Sequence, residues 1–330
     1  MNNEPEYIAL YEDGELKRRA HILAARLNEC DICPRECGAD RIGGKTGACH
    51  SGYRPVVSSY CAHHGEEPVI SGSRGSGTVF FGNCNMRCVY CQNHQISQAH
   101  RSQRRHEVDI PVLAERFLYL QNEVGCHNIN LVSPTHFVPQ IVRAVLEAVP
   151  LGLHLPIVYN TGGYDSVETL SLLEGIVSVY LTDLRYASDR TGRKYSRVRG
   201  YATAARAAIK EMQRQVGDLV VDDDGIARKG LIVRHLILPG GIAGSEESLG
   251  WLVREVSPQV AVSIMSQYYP AHRAFKYREL SRKITPREYE EVAEIVARLG
   301  IVNGWMQGME STESYRPDFE KENPFAEGEG

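Results

Sequence analysis

The chain has 330 residues, of which 42% are hydrophobic and 24% charged, with a net charge of −4. That length suits one large α/β domain with a small appendage, and the slight acidity gives no electrostatic case for general nucleic-acid or membrane-surface binding. No apolar run approaches the ~20 residues that span a bilayer. The first residues, MNNEPEYIALYEDGE, are polar and acidic and do not read as a signal peptide. Most of the nine cysteines fall at metal-ligand spacings rather than as a secreted disulfide framework, so reduced thiols and a cytoplasmic location are expected.

In chain order, Glu15 to Asn28 reads as an amphipathic helix with Leu16, Ala20, Leu23, Ala24 and Leu27 on one side. It runs into Cys30, Cys33, Cys37 and, past a glycine-rich turn, Cys49. Four thiolates within twenty residues suit a closed structural zinc site or an iron–sulfur cluster. Cys61, His50, His63 or His64 is an alternative ligand, and loose reduced thiols are the bland alternative. A metal would supply much of the folding energy of so short a segment. Residues 56–77 crowd Cys61, His63, His64, Glu66 and Glu67 before SGSRGSG. Scattered solvated side chains explain any one of them, but their density places His63, His64 or Glu66 at the mouth of a site. The glycine–serine run reads as a hinge by default, or as an anion cradle.

Thr78–Phe81 is a short apolar strand that runs into Cys84, Cys88 and Cys91, spaced C-x3-C-x2-C. Three thiols in eight residues must converge on one small object. A zinc loop wants a fourth ligand, whereas a four-iron cluster held by three cysteines keeps one iron open for chemistry. With the aromatic Tyr90 before the last cysteine, this stretch resembles the radical S-adenosylmethionine (radical SAM) superfamily. Together with CPRECG and HHGEEPVISG, the stretch FFGNCNMRCVYCQNHQIS resembles, over most of the chain, its subfamily related to the pyruvate formate-lyase activating enzyme. The resemblance implies a [4Fe–4S] cluster on Cys84, Cys88 and Cys91 as the catalytic centre. It also implies SAM at the open iron, cleavage to a 5′-deoxyadenosyl radical, a flavodoxin- or ferredoxin-like electron donor, and a (β/α)6 core.

After the first strand the pattern alternates. Helices are expected near residues 109–124, with Asp109 as cap, and near 138–149, 166–174, 203–216 and 245–256. A further helix opens on the capping box Thr285–Glu288. Strands are expected at 128–132, 157–159, 177–182, 231–236 and 260–264, with a hairpin at 218–225 and a last strand at 301–305. This order gives an α/β fold, a partial (β/α)6 TIM-like barrel with a Cys-rich N-terminal metal-binding extension. The division is residues 1–75 for the extension, 76–307 for the barrel and 308–330 for a tail.

Ligands of such folds sit at the carboxyl ends of the strands. There the sequence places Ser133, Thr135 and His136, then Asn160, then Asp183 and Arg185. Ser133 to His136 stand where the superfamily often has a glycine-rich SAM-binding motif. Asn160, Asp183 and Arg185 are the expected SAM contacts, and Tyr90 and Asn93, beside the last cysteine, are further candidates for the adenine and its surroundings. His235 is a cofactor contact or a core histidine satisfied locally, and Asp183–Arg185 is a site pair or a structural ion pair. Tyr268, Tyr269 and Trp305 read as core or rim aromatics. The tail reads as an arm that straps the core through Tyr315 and Phe319.

Three functions remain open. The radical abstracts hydrogen from a glycine of a partner enzyme, as in glycyl-radical activases, or from a small molecule or peptide. Otherwise the chain is a non-catalytic iron–sulfur or zinc redox module. An open barrel mouth suits the first, and a mouth plugged by residues 50–75 and the tail suits the second.

Overall fold

A computed structural model describes residues 4–310, 317–319, 321, 324 and 325. Two helices open the chain, α1 (Tyr7–Glu12) and α2 (Glu15–Ala25). Then come β1 (Val57–His63), α3 (Pro68–Ser71), β2 (Ser76–Phe81), α4 (His94–Ser97), α5 (His100–Gln103) and α6 (Ile110–Asn122). The alternation continues with β3 (Ile129–Val132), α7 (Val138–Ala148), β4 (Ile157–Thr161), α8 (Val167–Ser171), β5 (Val179–Asp183), α9 (Asp189–Ser196) and α10 (Tyr201–Val216). It ends with β6 (Val220–Val221), β7 (Ala227–Leu236), α11 (Ser245–Glu255), β8 (Ala261–Met265), α12 (Pro286–Arg298) and β9 (Gly304–Met306).

The strands form one sheet in the order β1-β2-β3-β4-β5-β7-β8-β9, with β6 hairpinned onto β7. From β2 to β9 every neighbouring pair along this path is parallel. This is the open, mostly parallel sheet expected of a partial barrel. Register sets the inner face. Thr78 pairs with Asn130, Asn130 with Val158 and Val158 with Val179, and further along β5 on the same parity Asp183 pairs with Arg234 and Arg234 with Ser263. Residues of one parity therefore line the interior while the other parity packs under the helices.

Two stretches differ from the sequence expectation. Residues 57–63, read as part of a run of scattered titratable side chains, form a strand: β1 pairs antiparallel with β2. SGSRGSG is not a free hinge either, because it spans the end of α3, a turn and the start of β2. The segment before it enters the barrel. Ile70 and Val69 pack with the inner-face residues Val158, Leu181, Ile232 and Ala261, so α3 fills the lower half of the interior. Asp109 stands at the N-terminus of α6 but makes no capping bond, and its carboxylate pairs instead with Arg54 at 3.0 Å. The Thr285–Glu288 capping box forms as read.

The N-terminal segment is fastened to the barrel. Leu16, Leu23 and Leu27 are buried, α2 packs on α7, and the Tyr7 hydroxyl donates to the Leu155 carbonyl at 2.8 Å. No helix among the described residues is long and apolar enough to cross a membrane. Of the two residues expected to strap the core, Phe319 packs edge-on against Phe80 of β2 at 5.2 Å, while Tyr315 lies outside the described residues. Phe325 lies on His63, ring centroids 3.8 Å apart, and close to Phe80. Phe319 and Phe325 thus pack over β1 and β2.

Candidate active site

The cysteine loop leaves β2 through Gly82, where a Cβ would stand 2.5 Å from Val56 Cγ1 and 2.8 Å from Ser58 Oγ. Only glycine fits that exit. His136 Nε2 lies 3.0 Å from the Gly82 carbonyl. Further along, the loop is pinned to the end of α9, since Arg87 N–H donates to the Ser196 carbonyl at 3.0 Å and Val89 N–H to Tyr195 at 2.8 Å. Each cysteine has a polar group aimed at its sulfur. The Ser196 hydroxyl lies 3.0 Å from Cys88 Sγ, the Ser97 hydroxyl 3.2 Å from Cys91 Sγ, and Met86 N–H donates to Cys84 Sγ at 3.4 Å. Burial raises the Cys84 thiol to about 12 and the Cys91 thiol to about 11, with the neighbouring cysteines adding to the shift in both. Three mutually repelling thiols with donors turned toward them suit the thiolates of a metal cluster, whose charge such donors stabilise.

From Cys91 a pocket of about 840 Å³ runs down the barrel interior to Glu66 and Glu67, within the size range of small-molecule sites. Tyr90, Asn93, Asn160, Asp183 and Arg185 all line it, as do His63 and His64. Arg185 pairs with Asp183 at 2.5 Å, and Arg234 reaches the other Asp183 oxygen at 2.9 Å. Arg234 continues to Asn160 Oδ1 at 2.5 Å and to Glu66 at 3.5 Å. The expected ion pair and the expected site are therefore one structure. Arg185 Nε is buried with no hydrogen-bond partner, leaving a donor for an acceptor group near the thiols. Burial draws the Arg185 guanidinium down, and Asp183 and Cys88 outweigh it to hold the charge firmly. Burial drives His63 down to about 4, with His64 adding to it and Glu67 opposing, so the His63 ring is neutral at pH 7.

Four expected contacts lie elsewhere. His235 is fully buried behind the sheet, with Nδ1 2.7 Å from the Leu184 carbonyl and Nε2 3.0 Å from Ser245 Oγ. It is the satisfied core histidine, because residue 235 has outward parity. Thr135 donates to Asp165 at 2.7 Å, beside Tyr159 and Thr161 on the same carboxylate. Ser133 adopts φ 57° to turn the chain, and its N–H donates to the Asn160 carbonyl. His136 is buried under the cysteine loop and supports Gly82. None of the four lines the pocket. Sequence reasoning missed Ser196, which is distant in sequence and carries no motif. It named Glu67 in the titratable run without singling it out, because its place depends on the fold of α3.

Comparison with known proteins bears on the same residues. Residues 78–222 match the family model of the Radical SAM superfamily. Residues 78–222 form a radical SAM domain. An uncharacterized protein of Methanocaldococcus jannaschii is 26% identical over 307 residues, spanning 91% of this chain and 82% of its own length. The radical SAM domain implies a [4Fe–4S] cluster, bound SAM and reductive SAM cleavage. The three cysteines fit that cluster, since the match begins at β2 and contains all of them.

The N-terminal cysteines lie against this loop. Arg35 donates to the Asn85 carbonyl, and Arg87 donates to the Ala48 carbonyl at 2.6 Å. A Cβ on Gly47 would meet Cys37 Sγ at 3.2 Å and Cys49 Sγ at 3.5 Å, so both thiols face one cradle. Cys33 is pushed up to about 12 by burial, with Cys49 and Cys30 adding to it. Fully buried Arg41 lies 3.8 Å from Cys30 Sγ and otherwise donates to carbonyls of Gly52 and His136. Among the described residues no three His, Cys, Asp or Glu side chains converge tightly enough for a single ion. That holds for the radical SAM cysteines as well as for these four.

Proposed function

We propose that the protein is a radical SAM enzyme acting on a small molecule or peptide held in the barrel, rather than on the glycine loop of a partner enzyme. One observation favours the reading: α3 fills the lower half of the interior and Phe319 and Phe325 pack on Phe80 of β2, so the pocket above Glu67 is closed below and covered along β2. A partner's glycine loop needs an open mouth. The residues have separable tasks. Cys84, Cys88 and Cys91 hold the cluster, which supplies the electron for SAM cleavage when bound. Arg185, held by Asp183, offers Nε to the SAM carboxylate, and Asn160 and Asp183 offer polar contacts to its ribose. Tyr90, tied to Tyr186 at 2.6 Å, and Asn93 border the adenine. The surrounding barrel limits access of water and stray hydrogen donors to the reacting centre.

We further propose that Cys30, Cys33, Cys37 and Cys49 hold a second metal. Buried Arg41 supports this, because an unpaired interior cation calls for a counter-charge. A metal-bound Cys30 thiolate supplies one. The electron donor is a flavodoxin- or ferredoxin-like protein. The substrate proposal is tested by splitting a cell extract into small-molecule and protein fractions. Each is added to reduced, reconstituted enzyme, and 5′-deoxyadenosine formation is followed. Stimulation by the small-molecule fraction supports the reading, and stimulation by the protein fraction alone overturns it in favour of a glycyl-radical activase.

A further inference from the structure

The floor of the pocket carries more acid than its bases can use. Glu66 is paired, since Asn160 Nδ2 donates to one oxygen at 3.3 Å and Arg234 approaches the other at 3.5 Å. Glu67, its neighbour in sequence and on the floor, is not. Its residue exposure is only 8%, and Oε2 is buried with no hydrogen-bond partner. Ser263 lies against the same carboxyl. The two arginines lining the pocket, Arg185 and Arg234, are both engaged by Asp183. A lone buried carboxylate oxygen is costly unless a cation or donor meets it. Glu67 lines the pocket, so a ligand held there is what can supply the missing partner.

We propose that Glu67, backed by Glu66, receives a protonated amine of the second substrate. The inference rests on the reading that SAM occupies the cluster end of the same pocket. The polar groups divide along its length in that sense. Arg185 feels Cys88 and Tyr90, whereas Arg234 feels Glu66 and Glu67. The donor at the upper end suits a carboxylate, and the acceptor at the floor suits an ammonium. Substrate length then sets which carbon lies near the cluster end, so the floor fixes the site of hydrogen abstraction by position. Burial pushes the Glu67 carboxyl upward, with Arg234 opposing. An arriving ammonium offsets that penalty, and a neutral ligand of the same shape does not.

The test uses the reconstituted holoenzyme with SAM, and n-butylammonium against n-butanol as probes, read by thermal shift and calorimetry. The expected result is saturable stabilisation by the amine and none by the alcohol, with amine affinity in Glu67→Gln weakened about tenfold. Equal response to amine and alcohol in the wild-type protein overturns the inference, and that comparison needs no variant. Unchanged amine binding in a folded Glu67→Gln protein also overturns it. SAM affinity is measured on the same samples. If Glu67→Gln loses SAM affinity instead, the floor belongs to SAM and the amine site is wrong while the radical SAM reading stands. If the wild-type holoenzyme binds no SAM, the reading beneath the inference fails.

Discussion

Arg234 on β7 donates to Asp183 on β5 at 2.9 Å, across a register that pairs the two residues directly. The same carboxylate also holds Arg185 at 2.5 Å. One acid therefore fixes two guanidinium groups, one facing the thiols and one facing the floor. Asp183→Asn is predicted to weaken SAM binding about tenfold by freeing Arg185, with iron content unchanged. It is also predicted to cost about 3 kcal/mol of stability, because two cations lose a buried partner. Equilibrium dialysis with SAM and urea unfolding check both. Unchanged SAM affinity would reduce Asp183 to a structural anchor.

Ser196 is a positioning residue for Cys88. A hydroxyl that donates to a ligand sulfur eases cluster reduction, so Ser196→Ala is predicted to lower the cluster's reduction potential and slow SAM cleavage. Potentiometric titration followed by electron paramagnetic resonance reads the potential. An unchanged potential would mean that Ser196, with Tyr186 at 2.8 Å, only fills space behind the loop.

The N-terminal cysteines are separable from the radical SAM centre by substitution. A variant with Cys84, Cys88 and Cys91 replaced by alanine is predicted to retain one zinc ion or one iron–sulfur cluster. Replacing Cys30 and Cys33 as well is predicted to abolish it. Metal analysis with optical spectroscopy distinguishes zinc from iron. A triple variant that binds neither would sink the second centre.

Burial drives His136 down to about 3 and His235 down to about 4, against an ordinary value of 6.5. The folded-state value is below the unfolded one, so the unfolded chain takes up the proton first. The stability each ring contributes is present above the unfolded value and lost as pH falls through the folded one. At about pH 5 the loss is roughly 2 kcal/mol for each ring. The buried carboxyls Glu66, Glu67 and Asp165, raised by burial, act in the opposite sense. Comparing pH slopes of wild type and His235→Gln cancels them. The variant's stability should fall less steeply with acid, and equal slopes would contradict the assignment.

The fold was legible wherever periodicity was strong. The barrel strands and the long helices lie within a few residues of their expected places, because alternating apolar runs and caps are local signals. β1 was not legible, since VSSYCAH is half exposed and its strand state comes from pairing with β2 rather than from its own pattern. The strand-end rule located Asn160, Asp183 and Arg185, whose parity points inward or whose loop turns over the mouth. It failed for His235 because parity, not position, decides which face a residue takes, and a one-residue difference reverses it. It failed for Thr135 because Asp165, thirty residues on, claims its hydroxyl. His63, His64 and Glu66 were legible as a dense titratable run, whereas the orphan oxygen of Glu67 needed the three-dimensional packing of α3.

This chain is predicted to cleave SAM reductively at a cluster held by Cys84, Cys88 and Cys91. The most direct measurement is 5′-deoxyadenosine from SAM after anaerobic reconstitution and dithionite reduction, made with and without the small-molecule fraction of a cell extract. The wild-type protein is expected to yield deoxyadenosine and Cys88→Ala none. A full, reducible cluster that yields no deoxyadenosine under either condition would contradict that expectation and point to a redox module instead.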